Sequence, residues 1–302
     1  MVCGNFILTE SANRVFLYSF NLRNLFYLTN KEKHIMIFYP SFWILFTAAA
    51  LVCAIGFRKY VWFISIGYGL SITAIGACLL VLYRSEMDTL KLIACLLLIG
   101  YGLRLGGYLL LRELKSAAYN AKMKGEISDG SHMTVPLKIA LWLSCVLLYL
   151  MMTAPIVYRF ANGIMGDTCF ATGLVIMLCG VILEAASDLQ KSAAKKVNPR
   201  RFCDAGLFKL VRCPNYLGEL VIWTGVFLSG FTAFTGVGQW IISILGYLGI
   251  VYIMFSGARR LELRQDRTYG TDPEYQAYIK STPILLPFVP LYSVKKHKWL
   301  VG

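Results

Sequence analysis

The chain has 302 residues, 57% of them hydrophobic and 15% charged, with a mean hydropathy of +0.60. That is more apolar surface than a soluble domain of this length buries, which excludes an ordinary water-soluble enzyme and implies a lipid bilayer as partner. The net charge of +14 falls on alternate loops and not along one soluble face, so it reports membrane topology and argues against nucleic acid as a partner.

Residues 1–35 lack the small-residue cleavage site of a signal peptide, although Val15 to Leu28 is moderately apolar. The character of the chain changes abruptly over Ile35 to Tyr39. The expectation is an N-terminal extension over 1–35 that is not part of the native fold, a true start at Met36, and a single transmembrane domain over 36–302. The N-terminal peptide of the purified protein checks this.

Runs long enough to cross about 30 Å of hydrocarbon lie at 41–57, 61–83, 90–111, 137–158, 169–190, 217–234 and 238–256. The predicted fold class is therefore all-α, a polytopic membrane protein of about seven helices. Residues 113–136 form a polar connection between the third and fourth spans, and a tight Thr235-Gly236-Val237 hairpin joins the last two. Gly257 to Thr268 reads as a charged helical stretch, and the prolines of the following ILLPFVPLY segment make it a membrane-surface cap instead of another span.

The loop charges orient the bundle. One set carries Arg58, Lys59, Arg112, Lys115, Lys122, Lys124, Lys138, Lys191, Lys195, Lys196, Arg200, Arg201, Lys209 and Arg212, whereas the other has only Arg84, Lys91 and Arg159. The positive-inside rule assigns the first set and the tail beyond Gly257 to the cytoplasm. The nine cysteines show no CxxC pair and include Cys53, Cys78, Cys95, Cys145 and Cys179 within apolar runs, while His34, His132 and His297 are scattered. No metal site is expected.

Polar residues inside apolar spans mark the candidate site. In the third span Tyr101, Arg104, Tyr108, Arg112 and Lys115 share one helical stripe. Arg104 lies about two turns inside, where an unpaired guanidinium costs several kcal/mol, so it requires an anionic partner: a ligand, or a helix carboxylate such as Glu184. Glu184, Asp188, Lys191 and Lys195 form a second stripe in the fifth span. A third group follows in NPRRFCDAGLFKLVRCPNYLGE (198–219), where Asp204-Ala205-Gly206 supplies a turn and Pro214 suits a first helical position. Asn215 and Glu219 then lie one turn apart, and Arg212, Tyr216, Arg259 and Arg260 complete a set able to surround a polyanion. A dinucleotide phosphate such as NADPH matches that demand, in a cavity facing the cytoplasm. Gly100, Gly102, Gly106 and Gly107 have no strand before them and read as close helix packing, not a nucleotide loop.

The segments YGLRLGGYLLLR (101–112), SDLQK (187–191), AGLFKLVRCPNYLGE (205–219) and TYGTDPEYQAYIKSTPILLP (268–287) resemble the steroid 5-alpha-reductase family, especially its microbial members of unassigned substrate. The resemblance covers about 90–290. It implies an enzyme that takes NADPH from the cytoplasmic side and reduces a conjugated carbon–carbon double bond in a lipid-like substrate. By resemblance, Tyr101 polarises the substrate carbonyl; Arg104, Tyr108, Asp188 and Asn215 contact cofactor; Lys195 stands roughly where an arginine is expected; and Glu219 matches the glutamate of the NYLGE-type motif. Cys213 replaces the family's histidine, and the second span has no counterpart to the glutamate that partners the tyrosine in steroid-reducing members.

Two other readings remain open. Isoprenylcysteine carboxyl methyltransferases share the basic-proline loop, a later glutamate and a Tyr-x-x-Tyr tail, matched here by Glu262, Tyr275 and Tyr278, and would use S-adenosylmethionine. A non-catalytic lipid-binding homologue would keep the lipid cavity without the nucleotide.

Overall fold

The structure, a computed structural model, describes residues 39–115 and 133–301. The expected N-terminal extension over 1–35, the Met36 start and most of the polar connection after the third span lie outside the described residues, as do the side chains of Arg112 and Lys115. Among the described residues eight α-helices follow one another: α1 (Pro40–Cys53), α2 (Ile66–Leu82), α3 (Thr89–Lys115), α4 (Val135–Ala161), α5 (Thr168–Val197), α6 (Pro214–Ser229), α7 (Val237–Tyr269) and α8 (Pro273–Ser281). Short 3-10 turns join several of them, and no strand occurs among the described residues.

Local chemistry sets the helix starts. Proline opens α1, α6 and α8, where its missing N–H would have had no acceptor. Asp167 caps α5 by accepting from Phe170 N at 2.7 Å, and Asp272 caps α8 by accepting from Glu274 N at 2.9 Å. Gly206 turns the chain before α6 at φ +59, a conformation a side chain resists, and a Cβ there would meet Gln190 Oε1 at 2.4 Å.

Among the described residues six segments are long and apolar enough to cross a membrane: Pro40–Phe57, Tyr60–Leu82, Thr89–Leu111, Val135–Ala161, Thr168–Val197 and Val237–Tyr269. The expected span over 217–234 is α6, which has 16 residues, and at 1.5 Å per residue it extends only about 24 Å. It packs chiefly on α5 and also touches α4 and α7. Its buried residues surround most of its circumference, so its polar side chains meet protein and not lipid.

Glycine permits two close helix pairs that position the site. Between α2 and α3, a Cβ on Gly102 would lie 2.3 Å from Gly69 O, and one on Gly69 would lie 2.6 Å from Gly106 N. Gly102 and Gly106 thus pack as the sequence implies, whereas Gly100 and Gly107 meet nothing within 4 Å. Between α5 and α6, a Cβ on Gly225 would lie 2.5 Å from Gly173 O, and one on Gly218 would meet Glu184 Cβ at 2.8 Å. Small residues allow backbones to approach where lipid offers no hydrophobic drive for association.

Arg159, read from sequence as a loop cation, is instead wholly buried. Its guanidinium donates to Met165 O at 2.7 Å, Ser229 O at 3.1 Å and Asp167 Oδ2 at 3.1 Å, and lies 4.5 Å from the Phe170 ring. It therefore ties the end of α4 to the start of α5 and the end of α6. At the opposite end the tail returns along the bundle: Arg212 N donates to Pro283 O at 2.9 Å, Cys213 N to Ile284 O at 3.0 Å, and Ile284, Leu285, Val294 and Leu300 are buried. The ILLPFVPLY segment caps the bundle and contains no helix.

Candidate functional site

Close approach of α2 to α3 and of α5 to α6 brings polar side chains from four helices together inside the bundle. The Tyr101 hydroxyl of α3 lies 2.7 and 2.8 Å from the two Glu219 carboxylate oxygens of α6, and 2.7 Å from Tyr68 Oη of α2. Tyr68 donates to Glu219 at 3.1 Å. The Trp223 indole N–H reaches Tyr68 Oη at 2.7 Å and Glu219 Oε2 at 3.0 Å. Three donors thus converge on one carboxylate, and all four side chains are buried. In that low-dielectric setting each polar contact weighs more than it would in water, and an unmade one costs more.

One turn along α3, Arg104 meets the second stripe. Its Nη1 lies 2.7 Å from Glu184 Oε2 and its Nη2 lies 2.5 Å from Asp188 Oδ2, so the guanidinium bridges two carboxylates spaced four apart on α5. The anionic partner that an intramembrane arginine requires is supplied by the protein itself. A turn further on, Tyr108 Oη lies 3.4 Å from Ser192 Oγ. The α3 stripe and the α5 stripe therefore face each other as successive rungs, with Glu219 standing over the first. Asn215 sits one turn before Glu219 on α6, and its buried Oδ1 has no hydrogen-bond partner.

The remaining candidates lie elsewhere. Lys195 donates to Pro199 O at 3.2 Å, to Tyr269 Oη at 3.0 Å and to Arg201 O, securing the turn that follows α5. Arg212 is buried and donates to Glu262 Oε1 at 3.1 Å and to Tyr292 O, while its Nε and Nη1 are buried without hydrogen-bond partners. Arg260 is exposed beside Tyr216. The methyltransferase-like residues are occupied in holding the tail: Glu262 accepts from Val294 N at 2.9 Å, Tyr275 donates to Asp266 at 3.0 Å, and Tyr278 donates to Phe208 O at 2.7 Å. Burial raises both phenols above their ordinary range, so they stay protonated donors. Burial likewise pushes the Cys213 thiol up to about 12, which leaves it a packing residue and not a nucleophile.

Residues 54–282 match a family described as "Protein of unknown function (DUF1295)". The chain belongs to this family. It is also 28% identical over 132 residues to 3-oxo-5-alpha-steroid 4-dehydrogenase 1 of Rattus norvegicus, covering 43% of this chain and 46% of that protein. To steroid 5-alpha-reductase DET2 of Arabidopsis thaliana it is 24% identical over 123 residues, covering 40% and 42%. The chain therefore spans less than half the length of these curated relatives. No solved structure matches it. The resemblance drawn from the sequence motifs thus agrees with this DUF1295 member's relatives.

Sequence reasoning missed Tyr68 and Trp223. Trp223 had a signal, since Asn215, Glu219 and Trp223 recur every four residues on one face of α6. Tyr68 had little, because a neutral aromatic in an apolar span is ordinarily core. The suggestion that a second-span acid is needed beside Tyr101 meets a different arrangement: α2 supplies the phenol of Tyr68, and the carboxylate comes from α6 as Glu219. Glu184 is paired with Arg104, as one of the two sequence readings of that arginine expects.

Proposed function

We propose that this DUF1295 member is an NADPH-dependent membrane oxidoreductase that reduces a conjugated carbon–carbon double bond of a lipid-like or steroid-like substrate. The observation that carries the reading is the buried Tyr101 hydroxyl, 2.7 Å from both Glu219 and Tyr68. The names of the rat and Arabidopsis relatives support the same reaction class. The excess of lysine and arginine on one set of loops supports a cytoplasmic cofactor side and C-terminus.

Tyr101 is the catalytic residue of this reading. Tyr101 turns its O–H from Glu219 toward an enone oxygen. As negative charge develops on that oxygen, the fixed donor stabilises it; removing such a donor costs about 10²–10³ in rate. Tyr68 and Trp223 remain hydrogen-bonded to Glu219 Oε2 when Tyr101 turns away, and Oε1, whose donor is Tyr101, draws the phenol back. Glu219 acts by holding the phenol in place.

The donor set fits NADPH at its two ends. Asn215 Oδ1 is a buried acceptor without a donor, which suits a carboxamide N–H. Arg104 faces two carboxylates, so the rung of Arg104, Glu184 and Asp188 suits hydroxyl and amide groups better than phosphate. Phosphate charge falls first to Arg260, which is exposed, since Lys195 is held by the turn after α5 and Arg212 by Glu262. Tyr108 and Glu219 complete the proposed binding set. When bound, NADPH would supply the hydride.

The test is incubation of purified protein with NADPH and a membrane lipid extract, with mass spectrometry of products two hydrogens heavier. Wild type forms such a product, and Tyr101→Phe forms it about 10²–10³-fold more slowly. An undiminished rate in Tyr101→Phe would overturn the assignment. Glu262, Tyr275 and Tyr278 are engaged with the tail and its neighbouring loop, which lends the methyltransferase reading no specific support.

A further inference from the structure

Away from the polar rungs, an apolar cavity of about 330 Å³ lies between α7 and the C-terminal tail. Its lining includes Val251 and Phe255 of α7 and Leu291, Val294, His297 and Leu300 of the tail. The volume falls within the range of about 300–1,000 Å³ typical of small-molecule sites. The lining residue Leu248 is exposed on the membrane-spanning part of α7, so the cavity has an apolar edge toward the bilayer.

The tail over this cavity is a fastened strap with a basic rim. Tyr252 Oη donates to Trp299 O at 3.0 Å and the two rings stack at 6.1 Å, while Arg259 donates to Lys295 O at 3.1 Å and Leu300 O at 3.2 Å. Aromatic rings of this kind sit at headgroup level in membrane proteins. Lys295 is paired with Asp266 at 2.9 Å, whereas Lys296 and Lys298, on either side of the lining residue His297, are exposed. We propose that this cavity binds one acyl chain of an anionic glycerophospholipid, with the headgroup phosphate held by Lys296 and Lys298. The site is independent of the reductase reading. Charge complementarity selects the occupant: juxtamembrane lysines attract anionic lipid, and the apolar pocket beside them takes the chain.

The test uses the full chain in detergent micelles with phospholipids brominated on the acyl chain, which quench nearby tryptophan. The Trp299 contribution is obtained by difference from Trp299→Phe. Brominated phosphatidylglycerol is expected to half-saturate quenching of Trp299 at a mole fraction about tenfold or more below that of brominated phosphatidylcholine. Lys296→Ala with Lys298→Ala brings the two curves together, and Val251→Phe, which fills the cavity, abolishes saturable quenching by either lipid. Coincident curves in the wild type would overturn the proposal. So would an unchanged preference in the double lysine variant or unchanged quenching in Val251→Phe.

Discussion

Arg104 shows how far one residue can be read without a structure. A guanidinium in an apolar span needs an anion, and the sequence named Glu184 as one candidate and a cofactor as another; the structure supplies Glu184 and Asp188 together. Arg104→Ala removes the shared cation and leaves Glu184 buried without it, so the variant is expected to lose on the order of 3–5 kcal/mol of stability. Adding Glu184→Gln should recover part of that loss, with a coupling of about 0.5–3 kcal/mol in a double-mutant cycle measured by denaturant melting in detergent. A wild-type melting profile for Arg104→Ala would contradict the bridge. Tyr68 marks the opposite limit: its position against Tyr101 depends on two helices packing at glycines, and no spacing within α2 announces it.

At the scale of elements, the apolar runs fixed helix existence well because crossing the bilayer demands long uninterrupted hydrophobicity. Their ends were less legible. Residues 230–233 belong to the expected span, yet they form turns, so α6 ends at Ser229 and not at 234. α7, by contrast, continues to Tyr269 through the charged stretch that the sequence already reads as helical, because helix propensity, not hydropathy, governs its last turns. The α5–α6 pair controls where Glu219 stands, and it rests on Gly173 and Gly225. A Cβ on Gly225 would lie 2.5 Å from both Gly173 O and Met177 N. Gly225→Ala must therefore separate the helices, and a loss of about 1–3 kcal/mol is expected. Gly100→Ala, where no atom lies within 4 Å, serves as the control. Equal thermal midpoints for the two variants would show that the pair does not depend on close approach.

For the whole molecule, polarity is divided along the bundle. One end is closed by Arg159 and by the network in which Asn162 joins Gln239 at 3.0 Å and Tyr39 at 2.6 Å. The other end carries the basic loops and the tail, and the rungs formed by Tyr101, Arg104 and Tyr108 descend from the interior toward it. The charge asymmetry was legible from sequence because it needs only counting. The division of cations between exposed and structurally paired was not, since Arg212 and Lys195 differ from Arg260 only in what the fold brings beside them. A ligand that binds the folded state alone stabilises it by about 2.7 kcal/mol at a hundredfold excess over its Kd. The most direct measurement is the thermal midpoint of the detergent-solubilised protein with NADPH, NADH or S-adenosylmethionine added separately. A rise with NADPH and none with S-adenosylmethionine is the expected result; a rise with S-adenosylmethionine alone, or with no ligand at all, would contradict the reductase account.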